Sequence, residues 1–259
     1  MKNIFIKIPF KVIKILKSLF MEIFITKMPL SDFSNYDEYW GKRGSEGNVI
    51  LFRYKYVAEM LPMSSSVLDV GCGDGRFLKY LKNVKPNLVL FGIDQSEVAI
   101  NKLKMHDIKG KIVDLTRESI SNMQQEMRIK FDYIVVMELL EHLYDPETLM
   151  RDLRNIGAKR YFITIPNLGF IVNRLRLAIG GKMPVTNIFF HIREHIRFWT
   201  FSDFKYWSKN MGFKLVVYHG QYGITWLWKL WPSLFASGMI YVLEIDNNYK
   251  QPIFPEAKT

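Results

Sequence analysis

One strand-to-helix turn constrains the fold of this chain more than any other feature. It covers residues 67–77, with the sequence VLDVGCGDGRF. Its mostly apolar start is typical of a parallel strand that is buried on both faces. The strand leads into three glycines at alternate positions, Gly71, Gly73 and Gly75, and a helical pattern begins at Arg76. Because glycine lets the backbone turn sharply and approach a ligand that a Cβ atom would obstruct, the turn predicts a loop that binds a nucleotide-type cofactor.

The spacing of the glycines indicates which kind of cofactor the loop accepts. The third glycine follows the second by two residues, whereas the dinucleotide fingerprint has three, so a diphosphate is not the favoured ligand. Asp69 lies at the end of the strand and Asp74 lies within the loop. Two carboxylates beside exposed backbone amides suit a ligand that carries an ammonium group and a sulfonium. A glycine-rich turn without any ligand is the alternative for the loop taken alone.

Strands and helices alternate along the rest of the chain, as a doubly wound α/β sheet requires. The expected further strands cover residues 89–94, 111–114, 131–137, 160–166, 214–218 and 239–245. The expected helices cover residues 76–81, 96–105, 118–127, 145–156 and 200–211. Asp94 ends the second strand about twenty residues after the glycines, where a carboxylate can accept hydrogen bonds from both hydroxyls of a ribose.

Several short motifs lie at the ends of these strands. They are DVGCGDG (69–75), GIDQS (92–96), Asp114, FDY (131–133) and ELLEHL (138–143). Together they resemble the successive motifs of class I S-adenosylmethionine (SAM)-dependent methyltransferases, and the resemblance covers residues 36–244. It implies a seven-stranded Rossmann-like sheet with an antiparallel last strand, and SAM as the cofactor. The residues expected to bind SAM are Asp69, Gly71, Gly73, Gly75, Asp94, Gln95, Asp114, Leu115 and Met137, with Asp114 at the adenine edge.

Other segments narrow the resemblance to one branch of that superfamily. They are YDEYW (36–40), IPNLGF (165–170) with Arg174, GGKMPVT (180–186) and HIRFWTFSDF (195–204). The chain is similar in these segments to small-molecule and surface-polysaccharide methyltransferases, and to the methyltransferase-like proteins of methionine biosynthesis. The likeness implies that residues 36–40 begin an arm that closes over the cofactor.

Methyl transfer to a hydroxyl group requires a base that removes the proton of the acceptor. The candidates at the strand ends are Glu138, His142, His191 and His195. We prefer His195, with His142 and Glu138 next, and expect Asn167, His195 and Arg197 to surround the acceptor. An ordinary surface histidine is the alternative reading of His195.

Glu138, Glu141 and His142 can share one face of a helical turn. Some relatives with this pattern bind a divalent ion there. Methyl transfer is an in-line displacement that depends mainly on alignment, so it needs no metal. We therefore expect Glu141 and His142 to pack the turn below the pocket, and we expect no bound metal.

Composition limits the partners and the compartment. A single cysteine, Cys72, excludes an internal disulfide and suggests packing rather than nucleophilic chemistry. The net charge of +11 could serve nucleic acid or an anionic surface. We favour the surface, because no RNA-binding module is evident and the first thirty residues hold six lysines against one glutamate. An RNA methyltransferase is the less favoured reading.

The N-terminal residues predict an amphipathic helix. Its narrow polar stripe consists of Lys7, Lys11, Lys14, Ser18 and Glu22, and the remaining positions are mostly apolar. No run free of charge is long enough to span a membrane, and no cleavage site marks a signal peptide. Two roles stay open: residues 1–30 lie on an anionic membrane surface, or they dock on the enzyme's own core or on the second subunit of a homo-oligomer.

The expected organisation has three parts. A basic amphipathic segment covers residues 1–35, a methyltransferase domain covers 36–250, and a tail covers 251–259. Within the domain, 168–194 is expected to form a substrate lid and 221–236 an aromatic insert with Trp226, Trp228 and Trp231, which is either core cover or a contact for a lipid or sugar.

These expectations define one preferred function and one alternative. We expect O-methylation of a sugar, a lipid-linked compound or another cell-envelope intermediate, in the cytoplasm or peripherally on the inner face of the cell membrane. A metabolic methyltransferase or SAM-binding accessory protein of the methionine-pathway type is the alternative.

Overall fold

The computed structural model describes residues 10–43, 50–184, 188–224 and 226–250 of the chain. The basic positions Lys2 and Lys7, residues 185–187 of the expected lid and the tail 251–259 lie outside these ranges. Seven strands form one sheet: β1 (Ser66–Val70), β2 (Val89–Asp94), β3 (Lys109–Ile112), β4 (Tyr133–Met137), β5 (Arg160–Pro166), β6 (Phe213–Gln221) and β7 (Gly238–Ile245).

The strand order is β3-β2-β1-β4-β5-β7-β6. Strands β1 to β5 pair in parallel, and Leu68 of β1 lies between Phe91 of β2 and Ile134 of β4. Strand β7 runs antiparallel to both of its neighbours, β5 and β6. The expected seven-stranded sheet with an antiparallel last strand is therefore confirmed. The last strand lies between β5 and β6, so that β6 forms the outer edge.

Ten helices connect or flank the strands in the described ranges. They are α1 (Phe10–Phe20), α2 (Tyr36–Lys42), α3 (Phe52–Met60), α4 (Arg76–Val84), α5 (Glu97–Lys104), α6 (Ile120–Met127), α7 (Pro146–Ile156), α8 (Ile171–Ala178), α9 (Phe201–Asn210) and α10 (Pro232–Phe235). Five of them begin at a capping residue whose side chain accepts a hydrogen bond from a backbone amide in the first turn: Asn35, Ser96, Ser119, Asp145 and Thr200. Such caps satisfy amides that the helix itself leaves unpaired.

The sheet is covered on both faces, as its buried strands require. On one face, Leu78 and Leu103 of α4 and α5 belong to one apolar cluster with Val67 of β1. On the other face, Met150 of α7 and Phe204 of α9 belong to a second cluster. Burial of each such side chain contributes about 1.5 to 3 kcal/mol to folding. The two clusters fix the carboxyl ends of β1, β2 and β4 at one edge, where the cofactor loop lies.

The N-terminal segment forms the expected amphipathic helix. Helix α1 continues into a π-helical turn, Met21–Ile25. Ile23 of this turn is buried, whereas Ile13, Leu16 and Phe20 of α1 are about half exposed. The N-terminal segment therefore packs on the protein's own core at the π-helical turn, and not along α1. Within the described ranges, no helix combines the length and the apolar character that crossing a membrane would need.

Candidate active site

A cavity of about 670 Å³ opens at the carboxyl ends of β1, β2 and β4. The predicted cofactor residues that line it are Asp69, Gly71, Gly73, Asp94, Gln95, Asp114, Leu115 and Met137. All three predicted catalytic residues, His195, His142 and Glu138, line it as well. Gly75 does not line the cavity, because it lies one turn further on as the N-cap of α4. The volume falls within the range of about 300 to 1,000 Å³ that small-molecule sites occupy.

The glycine loop owes its shape to left-handed backbone conformations. Gly71, Gly73 and Gly75 have φ angles of +72°, +52° and +76°. These angles are costly for residues with a Cβ atom and free of strain for glycine. The amides of Gly71 and Cys72 donate to the carbonyl of Ile93 at 2.8 and 2.9 Å, which ties the loop to the end of β2.

The surroundings of the glycines correct one part of the sequence argument. A Cβ atom on Gly71 would lie 2.9 Å from the Leu139 side chain, and one on Gly73 would lie 2.3 Å from the Trp40 indole. A Cβ atom on Gly75 would lie 2.4 Å from Leu103. The space beside each glycine is thus filled by protein. Backbone conformation and close packing account for these glycines, and the cofactor does not occupy the space beside them, although the glycine pattern had suggested that it would.

Asp69 and Asp94 supply the negative charge of the loop. Asp69 is buried, and its burial, followed by the nearby Asp94 carboxylate, raises its pKa to about 8. Asp94 accepts hydrogen bonds from the amides of Gly73 and Ser96, both at 2.9 Å. Burial raises the pKa of Asp94, and these hydrogen bonds oppose the shift. A cationic ligand beside Asp69 would favour its ionised form, so the acids suit the ammonium and sulfonium groups of SAM.

Arg53 is a cavity residue that the sequence argument missed. It lies at the start of α3 and lines the cavity together with Asp69. Its buried Nε atom has no hydrogen-bond partner among the described residues. A buried donor without a partner is costly, and a guanidinium pairs well with a carboxylate. Arg53 therefore fits the carboxylate of the methionine part of SAM. A lone arginine in an unremarkable helix carries no motif that could have revealed it.

The arm formed by α2 lies over the glycine loop, and its closure over the cofactor stays a prediction. Asp37 accepts a hydrogen bond from the Ser96 hydroxyl at 2.6 Å. Lys102 donates to the carbonyl of Trp40 at 2.6 Å. The Trp40 indole packs directly on Gly73 and lines the cavity. The arm is thereby held between the glycine loop and α5.

A cluster of acids and imidazoles lies at the cavity wall formed by Glu138, His142 and His195. Glu138 has a φ of +51° and accepts a hydrogen bond from the Thr164 hydroxyl at 2.8 Å. The Nδ1 atom of His142 lies 2.6 Å from the carbonyl oxygen of Glu194, to which it donates. Its Nε2 atom is then the basic nitrogen of the neutral ring. The rings of His142 and His195 are 4.8 Å apart.

Glu141 is the unusual member of this cluster. It is buried, and neither of its carboxylate oxygens has a hydrogen-bond partner among the described residues. Burial raises the pKa of Glu141 well above its usual value, and the neighbouring Glu138 raises it further. Glu141, His142 and His195 each offer a ligand atom, and these atoms all lie within 4.8 Å of one another. One carboxylate and two imidazoles can hold a divalent ion; the absence of a metal stays a prediction.

His195 is placed differently from an ordinary surface histidine. It is buried, and burial together with the nearby His142 lowers its pKa to about 3. The pKa of His142 is also lowered, mainly by burial. Both rings are therefore neutral near pH 7, although a lowered pKa also makes each ring a weaker base. His191, by contrast, caps the 3₁₀ turn Ile192–Glu194 and does not line the cavity.

Two further residues expected around the acceptor lie elsewhere. The Asn167 side chain is buried and donates to the carbonyls of Ser233 and Ala236 at 3.1 and 2.6 Å. Arg197 donates to the carbonyl of Tyr144. Neither residue lines the large cavity. Asn167 holds the aromatic insert against the end of β5, and the expectation that these two residues surround the acceptor stays a prediction that their place outside the cavity does not support.

The expected lid and insert contribute to the rim of the cavity. Phe189 and Glu194 of the lid line it, and so does Tyr222 of the insert. Trp228 is buried against His219, with ring centroids 4.4 Å apart. Trp226 and Trp231 are 69% and 54% exposed. Of the three tryptophans, only Trp228 therefore covers the core.

The fold and the cavity together define a SAM-dependent methyltransferase. Comparison with known proteins agrees with this class. The family model described as "Methionine biosynthesis protein MetW" matches residues 52–243, and the chain belongs to this family.

A curated relative is a methyltransferase by name, and solved structures share the fold. A ubiquinone biosynthesis O-methyltransferase of Coxiella burnetii is 27% identical over 201 residues, which are 74% of this chain and 84% of that protein. A SAM-dependent methyltransferase of Anabaena variabilis has a TM-score of 0.55 at 18% identity, covering 86% of this chain and 99% of that one. Magnesium protoporphyrin IX methyltransferase of Synechocystis, solved with bound SAH, has a TM-score of 0.51 at 14% identity, covering 90% and 94%.

Proposed function

We propose that the protein transfers the methyl group of SAM to a hydroxyl oxygen of a sugar, a lipid-linked compound or another cell-envelope intermediate. The observation that carries the proposal is the pair of neutral imidazoles, His142 and His195, in the same cavity as the acids of the glycine loop. A hydroxyl acceptor needs a base at that position. The name of the Coxiella burnetii relative, an O-methyltransferase, is consistent with transfer to oxygen.

SAM supplies an electrophilic methyl group when it is bound. The side chains of this protein align the reactants and receive the proton. The Asp69 carboxylate and the Arg53 guanidinium suit the charged ends of the methionine part. His195 takes the proton of the acceptor hydroxyl, and Nε2 of His142 is the alternative acceptor of that proton. Glu138, held by the Thr164 hydroxyl, orients the acceptor hydroxyl. Alignment of this kind accounts for a large part of the acceleration of such displacements.

The exposed apolar side chains of α1 support a site of action at a membrane. We propose that the protein works in the cytoplasm, peripherally on the inner face of the cell membrane. Lys14 and Lys17 of the same helix would lie among anionic headgroups. A lipid-linked acceptor would then reach the cavity from the surface on which the enzyme lies.

The experiment that tests the acceptor class is a comparison of cell-envelope extracts. Mass spectrometry of cells with and without the gene should show one envelope compound that loses the mass of a CH₂ group when the gene is absent. Wild-type protein should restore the methylated compound, and the His195→Ala variant should not. Identical envelope profiles, together with a new unmethylated compound among small soluble metabolites, would contradict the proposal.

The family match favours a second candidate. A metabolic methyltransferase, or a SAM-binding accessory protein of the methionine-pathway type, is consistent with the match over residues 52–243. An accessory protein would bind SAM and methylate nothing. Incubation of purified protein with labelled SAM and cell extract separates the two, because only an enzyme transfers the label to a compound in the extract.

A further inference from the structure

A strap formed by residues 13–43 runs from the exposed helix α1 to the cofactor loop. Among the described residues it contacts the body of the protein at helix α8, at the lid residues 189–193, and at the glycine loop with α5. Helix α8 and the lid turn both belong to the segment that follows β5. The strap therefore joins a surface helix, the expected lid and the SAM site in one continuous length of chain.

The first contact is a buried arginine. Arg176 of α8 is 3% exposed, and its guanidinium donates to the carbonyls of Glu22, Thr26 and Met183. These acceptors include carbonyls at the end of the π-helical turn, where a cation is favoured. A Cβ atom on Gly180 would lie 2.3 Å from the carbonyl oxygen of Ile23, so the chain after α8 also packs closely on the strap.

The second contact joins the strap to the lid turn. Leu30 and His191 form an isolated antiparallel bridge. Arg193 pairs with the Asp32 carboxylate and donates to the carbonyl of Phe33. The third contact is the packing of Trp40 on the glycine loop, described above. A shift of the strap at α8 therefore bears on the lid and on the SAM site.

The free end of the strap presents an apolar face to solvent. Ile13, Leu16, Phe20 and Phe24 follow spacings of three, four and four, and they are 49%, 55%, 54% and 36% exposed. Within the described ranges, no helix or strand other than the π-helical turn that continues α1 has extensive contacts with it. An isolated helix of this length is marginal in water, so α1 needs a partner for its apolar face.

Charge decides between the two available partners. The first thirty residues carry six lysines and one glutamate. A second copy of the helix would bring like charges together, whereas an anionic bilayer offers headgroups to the lysines and acyl chains to the apolar face. The observations therefore favour the bilayer over a dimer.

We propose that the strap couples an anionic lipid bilayer, bound by α1 and the π-helical turn, to the SAM site, so that each ligand raises the protein's affinity for the other. The proposal deepens the proposed site of action at the membrane, and it does not depend on the identity of the acceptor. Linkage requires the two effects to be equal: the factor by which vesicles strengthen SAM binding is the factor by which SAM strengthens vesicle binding.

The test uses the full chain, SAM, and vesicles of phosphatidylcholine and phosphatidylglycerol in equal parts. Calorimetry gives the SAM dissociation constant with and without vesicles, and co-sedimentation gives the vesicle affinity with and without SAM. We expect both factors to agree and to be about fivefold or more. Vesicles of phosphatidylcholine alone should give no coupling. Because no methyl transfer is measured, a wrong acceptor class would leave these results unchanged.

Variants identify the route of the coupling. Arg176→Gln keeps the surface of α1 and should bind vesicles and SAM with a coupling factor near one. Arg174→Gln is the matched control on the same helix, because Arg174 donates to the carbonyl of Gly169 and not to the strap; it should keep the full factor. The double variant Ile13→Glu/Leu16→Glu should lose vesicle binding and keep the SAM affinity of vesicle-free wild type.

Three results would overturn the proposal. The first is a wild-type protein that binds both ligands with a coupling factor of one. The second is an Arg176→Gln variant that is folded and keeps the full factor. The third is a wild-type protein that ignores anionic vesicles and forms a dimer that Ile13→Glu/Leu16→Glu dissociates, which would make a second copy the partner of α1.

Discussion

Gly73 and Trp40 allow a direct test of why the cofactor loop contains glycine. In Gly73→Ala, the new Cβ atom would lie 2.3 Å from the Trp40 indole. An overlap of that size costs about 1 to 3 kcal/mol when the core can adjust. The φ of +52° adds about 1 to 2 kcal/mol for a residue with a Cβ atom. Gly73→Ala should therefore lower the free energy of unfolding by about 2 to 5 kcal/mol.

Removal of the indole should restore only the part of the unfolding free energy that is lost to steric overlap. In a Trp40→Ala background, Gly73→Ala should cost about 1 to 2 kcal/mol, the backbone part alone. Urea unfolding of the wild type, both single variants and the double variant gives the coupling energy, which we expect to be about 1 to 3 kcal/mol. Additivity within about 0.5 kcal/mol would refute the packing argument. If Gly73→Ala abolishes SAM binding and Trp40→Ala does not restore it, the space beside Gly73 is needed by the cofactor and not by the indole.

Three further predictions concern the cavity. Asp69, whose pKa is about 8 in the SAM-free protein, is neutral below that pH and must lose its proton to pair with an ammonium group. SAM affinity should therefore rise as the pH rises towards about 8, with proton release that calorimetry in two buffers detects; a flat profile over that range would contradict this role. His195→Ala should lower turnover by about 10² to 10⁴ and change SAM affinity by less than about threefold, and a joint loss of both would make its role structural. Arg53→Gln should weaken SAM binding by about 1.5 to 3 kcal/mol, whereas Arg151→Gln, on the exposed face of α7, should leave it unchanged in the same titration.

The strand and loop that form the core of the site were predictable from local pattern. Val67, Leu68 and Val70 are fully buried in β1, as their apolar character indicated. The glycines follow at once, and α4 begins at Arg76 as expected. These features depend on neighbours in sequence, and short-range periodicity reports such features well.

The predicted strand boundaries were less accurate where polar residues or glycine lie at the start of a strand. Strand β3 begins at Lys109, two residues earlier than expected, and pairs Lys109 and Gly110 with Phe91 and Gly92. An edge strand with lysine and glycine gives no apolar signal. Strand β4, by contrast, begins two residues later than expected, at Tyr133. Just before it, the Asp132 carboxylate accepts a hydrogen bond from the Ser66 amide at 3.0 Å, in place of a backbone carbonyl. Side chains of this kind replace ladder bonds without changing the apolar pattern.

The chemistry of the cluster of acids and imidazoles depends on contacts that sequence spacing does not reveal. Glu141 and His195 are far apart in the chain, yet the amides of Ile196 and Arg197 donate to the Glu141 carbonyl at 2.9 and 3.1 Å. These bonds hold the chain so that His195 is buried and its side chain lines the cavity. A sequence shows a histidine between two arginines and suggests a charged surface loop. Only the fold shows that the His195 ring is buried, and its lowered pKa follows from that burial.

In the N-terminal segment, the sequence pattern predicted the helix but not the contacts that join it to the rest of the protein. Amphipathic spacing correctly predicted a helix, and it suggested a segment separable from the methyltransferase domain at residue 35. The carbonyls of Glu22 and Thr26, however, are acceptors for the buried guanidinium of Arg176. A truncation that removed them would leave a buried cation without those partners, which is among the costlier changes in a protein interior. Loss of function after such a truncation would therefore report on the folding of α8 as well as on the surface of α1. Substitutions on the exposed face of α1, which leave every carbonyl of the strap in place, separate the two causes.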